Sequence, residues 1–318
     1  MTYTKQLPDF IDRLANVPEM QRLKGVASDC GLSYTKFPLY VNAPVYTRFD
    51  HSLGCAGIVW NFTEDPKQTI AALFHDIATP AFAHTVDFMR GDHLKQEATE
   101  DGTETIIRSS GPICEILGEL KIDVSDVTDY KKYPIADNPS PHLSADRLEY
   151  TCAGLVRYSI LPECAVQRCY DDLTVSDDGK ELMFRTEDCA RLFSFASLAC
   201  SRIYISAESR YTMQMLSELL SDALKMNVID PGDLMTTDRE VADKLLADAR
   251  TADRYRRITE LKEIRYEGGS PDSRIVYTKK RYIDPSFAGT PFSQINGMYR
   301  DSIRSFKNTS FDEPIIGL

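Results

Sequence analysis

Eight cysteines are scattered along the 318 residues without one Cys-x-x-Cys pair. That excludes the thiolate sets that close structural zinc sites and the paired-cysteine redox motifs. The chain also lacks a basic excess: 48 acidic side chains outnumber 37 lysines and arginines, for a net charge of −11. Such a charge repels polyanions at long range, so nucleic acid is not expected as a partner. The two basic runs, Arg254-Tyr255-Arg256-Arg257 and Lys279-Lys280-Arg281, read as solvated helix and strand surface. No apolar run reaches spanning length, so no membrane is expected either. With no secretory leader and with thiols used as small core residues, a reducing cytoplasm is the expected location. Between Lys67 and Phe306 there is no Gly/Ser linker, repeat or low-complexity block.

What remains is mostly helical periodicity, and a mainly α fold is expected. Asp50–Trp60 and Lys67–Ile77 carry apolar positions at helical spacing, and further helices are predicted over Leu94–Ser109, His142–Val156, Glu187–Ile205, Glu208–Met226, Asp238–Asp248 and Ala252–Ile264. Alternation around the Asp178-Gly179 turn predicts a β-hairpin near 172–185, and Arg274–Ile283 reads as a strand. The residues after Asp284, with Pro285, Pro291 and few helical signals, are expected to form an ordered wrap or a subunit contact.

All five histidines fall between residues 51 and 142. His75 and Asp76 interrupt the apolar stretch Ala71–Ile77, where a buried His-Asp doublet is costly unless both side chains are satisfied. With His51 upstream and Asp146 downstream, the simplest satisfier is one divalent metal ion held by two imidazoles and two carboxylates. Adjacent residues on a regular helix point about 100° apart. The doublet therefore fits best at a helix end, and Ala78-Thr79-Pro80 supplies one. A nitrogen and oxygen set of this kind suits Mn²⁺, Fe²⁺, Ni²⁺, Zn²⁺ or Mg²⁺. On a six-coordinate ion it leaves open positions for a water and a phosphoryl oxygen.

The order His51, His75-Asp76, Asp146 resembles the HD-domain superfamily of metal-dependent phosphohydrolases. The flanks Arg48-Phe49-Asp50-His51-Ser52-Leu53-Gly54, Ala72-Leu73-Phe74-His75-Asp76 through His84-Thr85-Val86-Asp87, and Asp146-Arg147-Leu148-Glu149-Tyr150 are similar to the branch of deoxynucleoside triphosphate triphosphohydrolases, without a SAM domain. The resemblance covers roughly residues 30–230. It implies an HD-type helical bundle over 1–264 followed by a C-terminal extension over 265–318. The implied activity is hydrolysis of a nucleotide or related phosphate ester by metal-activated water, and the implied assembly is a homo-oligomer.

By the same resemblance His84, Asp87 and His93 surround the scissile phosphate and transfer protons. Arg48 contacts phosphate, and Arg147, Tyr150 and Tyr204 line the nucleotide pocket, with Arg202 and Arg210 as further candidates. Rival readings make Arg48 and Arg147 neutralisers of an acidic site, the tyrosines core residues with wet tips, and His93 a helix cap. His142 needs no chemical role.

Four positions depart from the branch. Thr79 stands where it has a second histidine of His-Asp-x-x-His, Ala196 and Ala207 where the mammalian relative has phosphate-binding cations, and Gly154 where it has an aspartate reading the sugar 3′-hydroxyl. Metal chemistry is thus expected to persist while recognition of triphosphate and deoxyribose changes. Two alternatives stay open: a phosphodiesterase on cyclic or short oligonucleotides, and a non-catalytic nucleotide sensor or scaffold.

Overall fold

The helices that carry the candidate ligands each begin at a side-chain cap. In the computed structural model, which describes residues 1–4, 6–89 and 102–318, α1 (Arg48–Thr63) starts from a capping box between Thr47 and Asp50. Thr47, not Asp50, is therefore the N-cap, and the helix begins two residues before the periodicity suggests. Asp65 caps α2 (Pro66–Phe74) by accepting from the backbone of Lys67 and Gln68, with Pro66 at the first helical position. Ser144 caps α3 (Ala145–Arg157) through the Arg147 amide. This helix starts three residues later than expected, leaving His142 outside it.

The two long helices α4 (Glu187–Tyr204) and α5 (Ala207–Lys225) follow with Thr186 and Ser206 as caps. Shorter helices run over Asp238–Ala247 and Ala252–Thr259. Of the helix predicted over 94–109, Thr103–Ser109 is observed; residues 94–101 lie outside the described residues. Helix dominates the fold, which is mainly α with small sheets.

The predicted hairpin is present: β1 (Leu173–Val175) pairs antiparallel with β2 (Leu182–Phe184), Leu173 opposite Phe184. β3 (Ile264–Tyr266) takes the end of the segment expected to be helical through Ile264. The C-terminal region then joins both sheets. β4 (Ser286–Phe287) lies parallel to β2 and turns into β5 (Thr290–Pro291), while β6 (Ile315–Gly317) pairs antiparallel with β3.

One expectation for this region is corrected. The segment 274–283 is not a strand: Arg274 alone bridges to Ile315, and 275–285 has no ladder partner. Side chains take its carbonyls instead, Arg210 Nη1 binding Val276 O at 2.6 Å and the Tyr299 hydroxyl binding Ile283 O. The residues after Asp284 also hold a helix where the sequence carries few helical signals. Gly297–Lys307 is a helix capped by Asn296 that buries Tyr299, Ile303 and Phe306, one face at a spacing of four and three. Among the described residues no helix is long and apolar enough to cross a membrane.

Candidate metal centre

Helices α1, α2 and α3 bring the four expected ligands together. His51 sits in the first turn of α1, Asp146 in the first turn of α3, and His75 caps the C-terminus of α2 with Asp76 directly after it. Leaving the helix at Phe74 lets the adjacent His75 and Asp76 face one point. His75 Nε2 and His51 Nε2 stand 3.1 Å apart. Asp146 Oδ1 lies 3.1 Å from His51 Nε2, and Asp76 Oδ2 lies 3.6 and 3.9 Å from the two Nε2 atoms.

Hydrogen bonding fixes what these nitrogens carry. His75 Nδ1 is 2.7 Å from the carbonyl oxygen of Ala72, which can only accept, so Nδ1 holds the proton and Nε2 a lone pair. His51 Nδ1 is 2.7 Å from the Glu149 carboxylate and is likewise the donor. With both rings neutral the two Nε2 lone pairs face each other between two carboxylates, an arrangement that a bound cation, or a proton on His51, relieves. Adjacent ligands on a six-coordinate ion at about 2.1 Å are about 3 Å apart, which the nitrogen pair matches. The donor set fits the expected divalent ion.

The surrounding charges hold this set in place. Burial alone would raise the pKa of Asp76. The Arg48 guanidinium, at 2.8 Å from Oδ2, and the two imidazoles outweigh burial and keep the carboxyl well below the usual range. Asp146 is held low against burial by its bond to His51 and by His75 and Arg147. Burial opposes protonation of His51, but Cys55, Asp146 and Glu149 together raise its pKa above the ordinary histidine value in the ion-free protein. Cys55 Sγ lies 3.6 Å from His51 Nδ1 and could join a metal-binding group with His51, His75 and Asp146. Burial pushes its thiol up to about 12, so it stands as a neutral thiol against the ring.

Two supporting residues explain features the sequence reading left without a role. Glu149, one turn after Asp146 on α3, is buried and also accepts from the Tyr3 hydroxyl at 3.2 Å and from the Tyr46 hydroxyl. It reaches α1 only because residue 54 is glycine: a Cβ there would stand 2.6 Å from Glu149 Oε1. Thr79, the apparent loss of a histidine, is fully buried and donates to Asp76 Oδ1 at 2.9 Å. It orients a ligand.

A cavity of 210 Å³ opens on the four ligands. Arg48, His84, Tyr150 and Tyr204 line it. His84 is aimed by a turn in which both Phe82 (φ 60°) and Ala83 (φ 47°) are left-handed. The Asp238 carboxylate holds that turn at the Phe82 amide. The side chain of Asp87 and all of His93 lie outside the described residues.

Arg147 is not brought to the cavity. Its Nε binds His142 O at 2.6 Å, Nη1 binds Asp137 at 2.8 Å, and Nη2 binds Asn138, so the guanidinium fastens the loop before α3. Arg210 is likewise engaged, with Ile205 O and Val276 O. Gly154 has an unexpected occupant. A Cβ there would meet the Tyr204 hydroxyl at 2.5 Å and Cys200 Sγ at 2.6 Å, so Tyr204 fills the space that a side chain at 154 would need. Sequence reasoning missed the C-terminal contribution altogether: Thr278, Lys279 and Arg281 line the same cavity. The run assigned to solvated surface thus faces the site in part.

No family model matches the chain. It is 26% identical over 238 residues to the uncharacterized protein YdhJ of Bacillus subtilis, covering 74% of this chain and 71% of that one. It is 28% identical over 147 residues to the protein of Cordyceps militaris named metal-dependent phosphohydrolase cns2, covering 45% of this chain and 39% of that one. Among solved structures, a hypothetical protein from Aquifex aeolicus matches with a TM-score of 0.58 at 19% identity, covering 79% of this chain and 71% of that one. That likeness speaks for the fold alone. A modest homology to a metal-dependent phosphohydrolase and a His, Cys, His, Asp cluster able to hold an ion support a general metal-dependent phosphohydrolase.

Proposed function

We propose that this chain is an HD-type metal-dependent phosphohydrolase acting on a nucleotide or related small phosphate ester. The observation that carries the reading is the pair of imidazole Nε2 atoms 3.1 Å apart beside two carboxylates, each ring oriented from behind through its Nδ1. A divalent ion held there by His51, His75, Asp76 and Asp146 would supply Lewis acidity toward phosphoryl oxygen and a water of lowered pKa.

The protein's own groups do the rest. Glu149 and Ala72 O fix the rings, and Arg48 with Thr79 keeps Asp76 ionised and pointed inward. His84, at the cavity wall, is the described group placed to protonate a leaving oxygen, with Asp87 and His93 assigned to the same work by their motif order. Tyr150 and Tyr204, with rings 6.0 Å apart, offer apolar faces suited to a sugar or base.

Three features favour a small ester over the triphosphate of the resembling branch. The cavity lies below the ~300 Å³ at which ligand pockets ordinarily begin. Arg48 is already paired with Asp76. Ala196 and Ala207 offer no charge. Purified protein loaded with Mn²⁺ and incubated with ribo- and deoxyribonucleoside mono-, di- and triphosphates and a nitrophenyl ester tests the reading. Phosphate released from monophosphates of both sugars is the expected result. Tripolyphosphate from dGTP alone would restore the branch's ordinary activity, and no product from any compound would favour the non-catalytic sensor.

A further inference from the structure

The cradle is acidic on three sides. Asp76, Asp146 and Glu149 surround the histidines, and the cation nearest them, Arg48, is committed to Asp76. A phosphate approaching this end of the cavity meets two carboxylates as well as any bound ion, so its outer oxygens need positive charge from another element.

The extended strap 276–283 supplies that charge. It is pinned at both ends, by Arg210 and Tyr299 as described and by the amide of Asp284 on Pro141 O at 2.9 Å, just before α3. Side chains of an extended segment alternate sides. Lys280 accordingly turns away from the cavity, donating to Lys307 O at 2.8 Å and Thr309 O at 2.5 Å. Lys279 and Arg281, on the opposite side, line it, as does Thr278 at the start of the run.

Arg281 differs from the other arginines near the site. Arg147, Arg157 and Arg210 each hold protein oxygens with two or three nitrogens. No hydrogen bond or ion pair to a described residue holds Arg281, and its buried Nε has no partner. Arg281 shares the cavity wall with Asp146 and Tyr150. A guanidinium that the described residues leave unengaged at the wall of an acidic cavity is suited to a bidentate oxyanion.

We propose that Arg281 binds the phosphoryl oxygens of the substrate, making the C-terminal strap part of the active site. The phosphate class rests on the phosphohydrolase reading above, but the assignment of Arg281 as an anion-binding residue does not require turnover.

Isothermal titration calorimetry of inorganic phosphate into the full chain loaded with Mn²⁺ tests it, on wild type, R281A, R281Q, R281K and K280A. Phosphate affinity should fall ~10–100-fold in R281A and R281Q, the scale of one charge-assisted bidentate contact. It should recover in part in R281K and stay within about twofold of wild type in K280A, with metal content unchanged throughout and the thermal midpoint unchanged in the Arg281 variants. Wild-type affinity in R281A or R281Q, equal losses in K280A, or no phosphate binding by the wild type would each overturn the proposal. Loss of nucleotide hydrolysis in a wild type that still binds phosphate through Arg281 would instead remove the proposed function and leave this assignment standing.

Discussion

In the cradle formed by α1, α2 and α3, each charged side chain has a partner of opposite sign or a hydrogen bond that orients it, whereas the strap that lines the cavity presents Arg281 with none among the described residues. Buried charges cost free energy unless compensated, so a full set of partners marks groups whose geometry the protein must guarantee before any ligand arrives. An unengaged cation at a cavity wall marks the reverse, a group whose partner comes from outside. The same contrast separates Arg147 from Arg281, two arginines that composition and local pattern do not distinguish.

The largest test of the contrast removes a ligand from the cradle. His75→Ala and Asp146→Ala should each drop metal content from one ion per chain to background by elemental analysis, with hydrolysis lost alongside, because the remaining groups are left uncompensated. Retention of a full ion in either variant would mean that the residue is not a ligand.

Removing support behind a ligand should do less. Glu149→Gln should weaken metal binding by ~10–100-fold, since it orients His51 without touching the ion. It should also move the pH response. A protonated His51 cannot ligate, so affinity falls as pH drops through its pKa, which Glu149 helps to raise above the usual histidine value. Metal titrations across pH should therefore show the acid-side loss setting in at a lower pH in the variant.

Arg147→Ala sharpens the comparison from the structural side. It should lower unfolding free energy by about 2 kcal/mol in urea titrations, from lost charge-assisted hydrogen bonds, with metal content unchanged. A variant of wild-type stability that binds substrate poorly would return Arg147 to the pocket. Thr79→Val should have the smallest effect, about 1 kcal/mol in metal affinity, from one hydrogen bond to Asp76.

How much of this was legible in the sequence follows from the range of the interactions. The four candidate ligands could be proposed because a His-Asp doublet in an apolar stretch has few bland explanations, whereas the caps Thr47 and Ser144 fell two to three residues from the starts the periodicity suggested. Glu149 was legible in principle, as an acid one helical turn from Asp146 on the same face. Its partners Gly54 and Tyr46 lie far away in sequence, so nothing local gave it a role. The strap could not be read. Its alternation looks like a strand, but Arg210 and Tyr299 take the carbonyls a ladder would have used. Prolines masked the helix Gly297–Lys307, whose buried Tyr299 pins the strap.

The close fit of Tyr204 against Gly154 also bears on how this pocket could change over evolutionary time. Any side chain at 154 collides with the Tyr204 hydroxyl and with Cys200, and Tyr204 is itself tied to the carbonyl of Tyr150 at 3.2 Å. The two positions are therefore sterically coupled: a side chain at 154 is accommodated only if Tyr204 and Cys200 shift or are replaced by smaller residues.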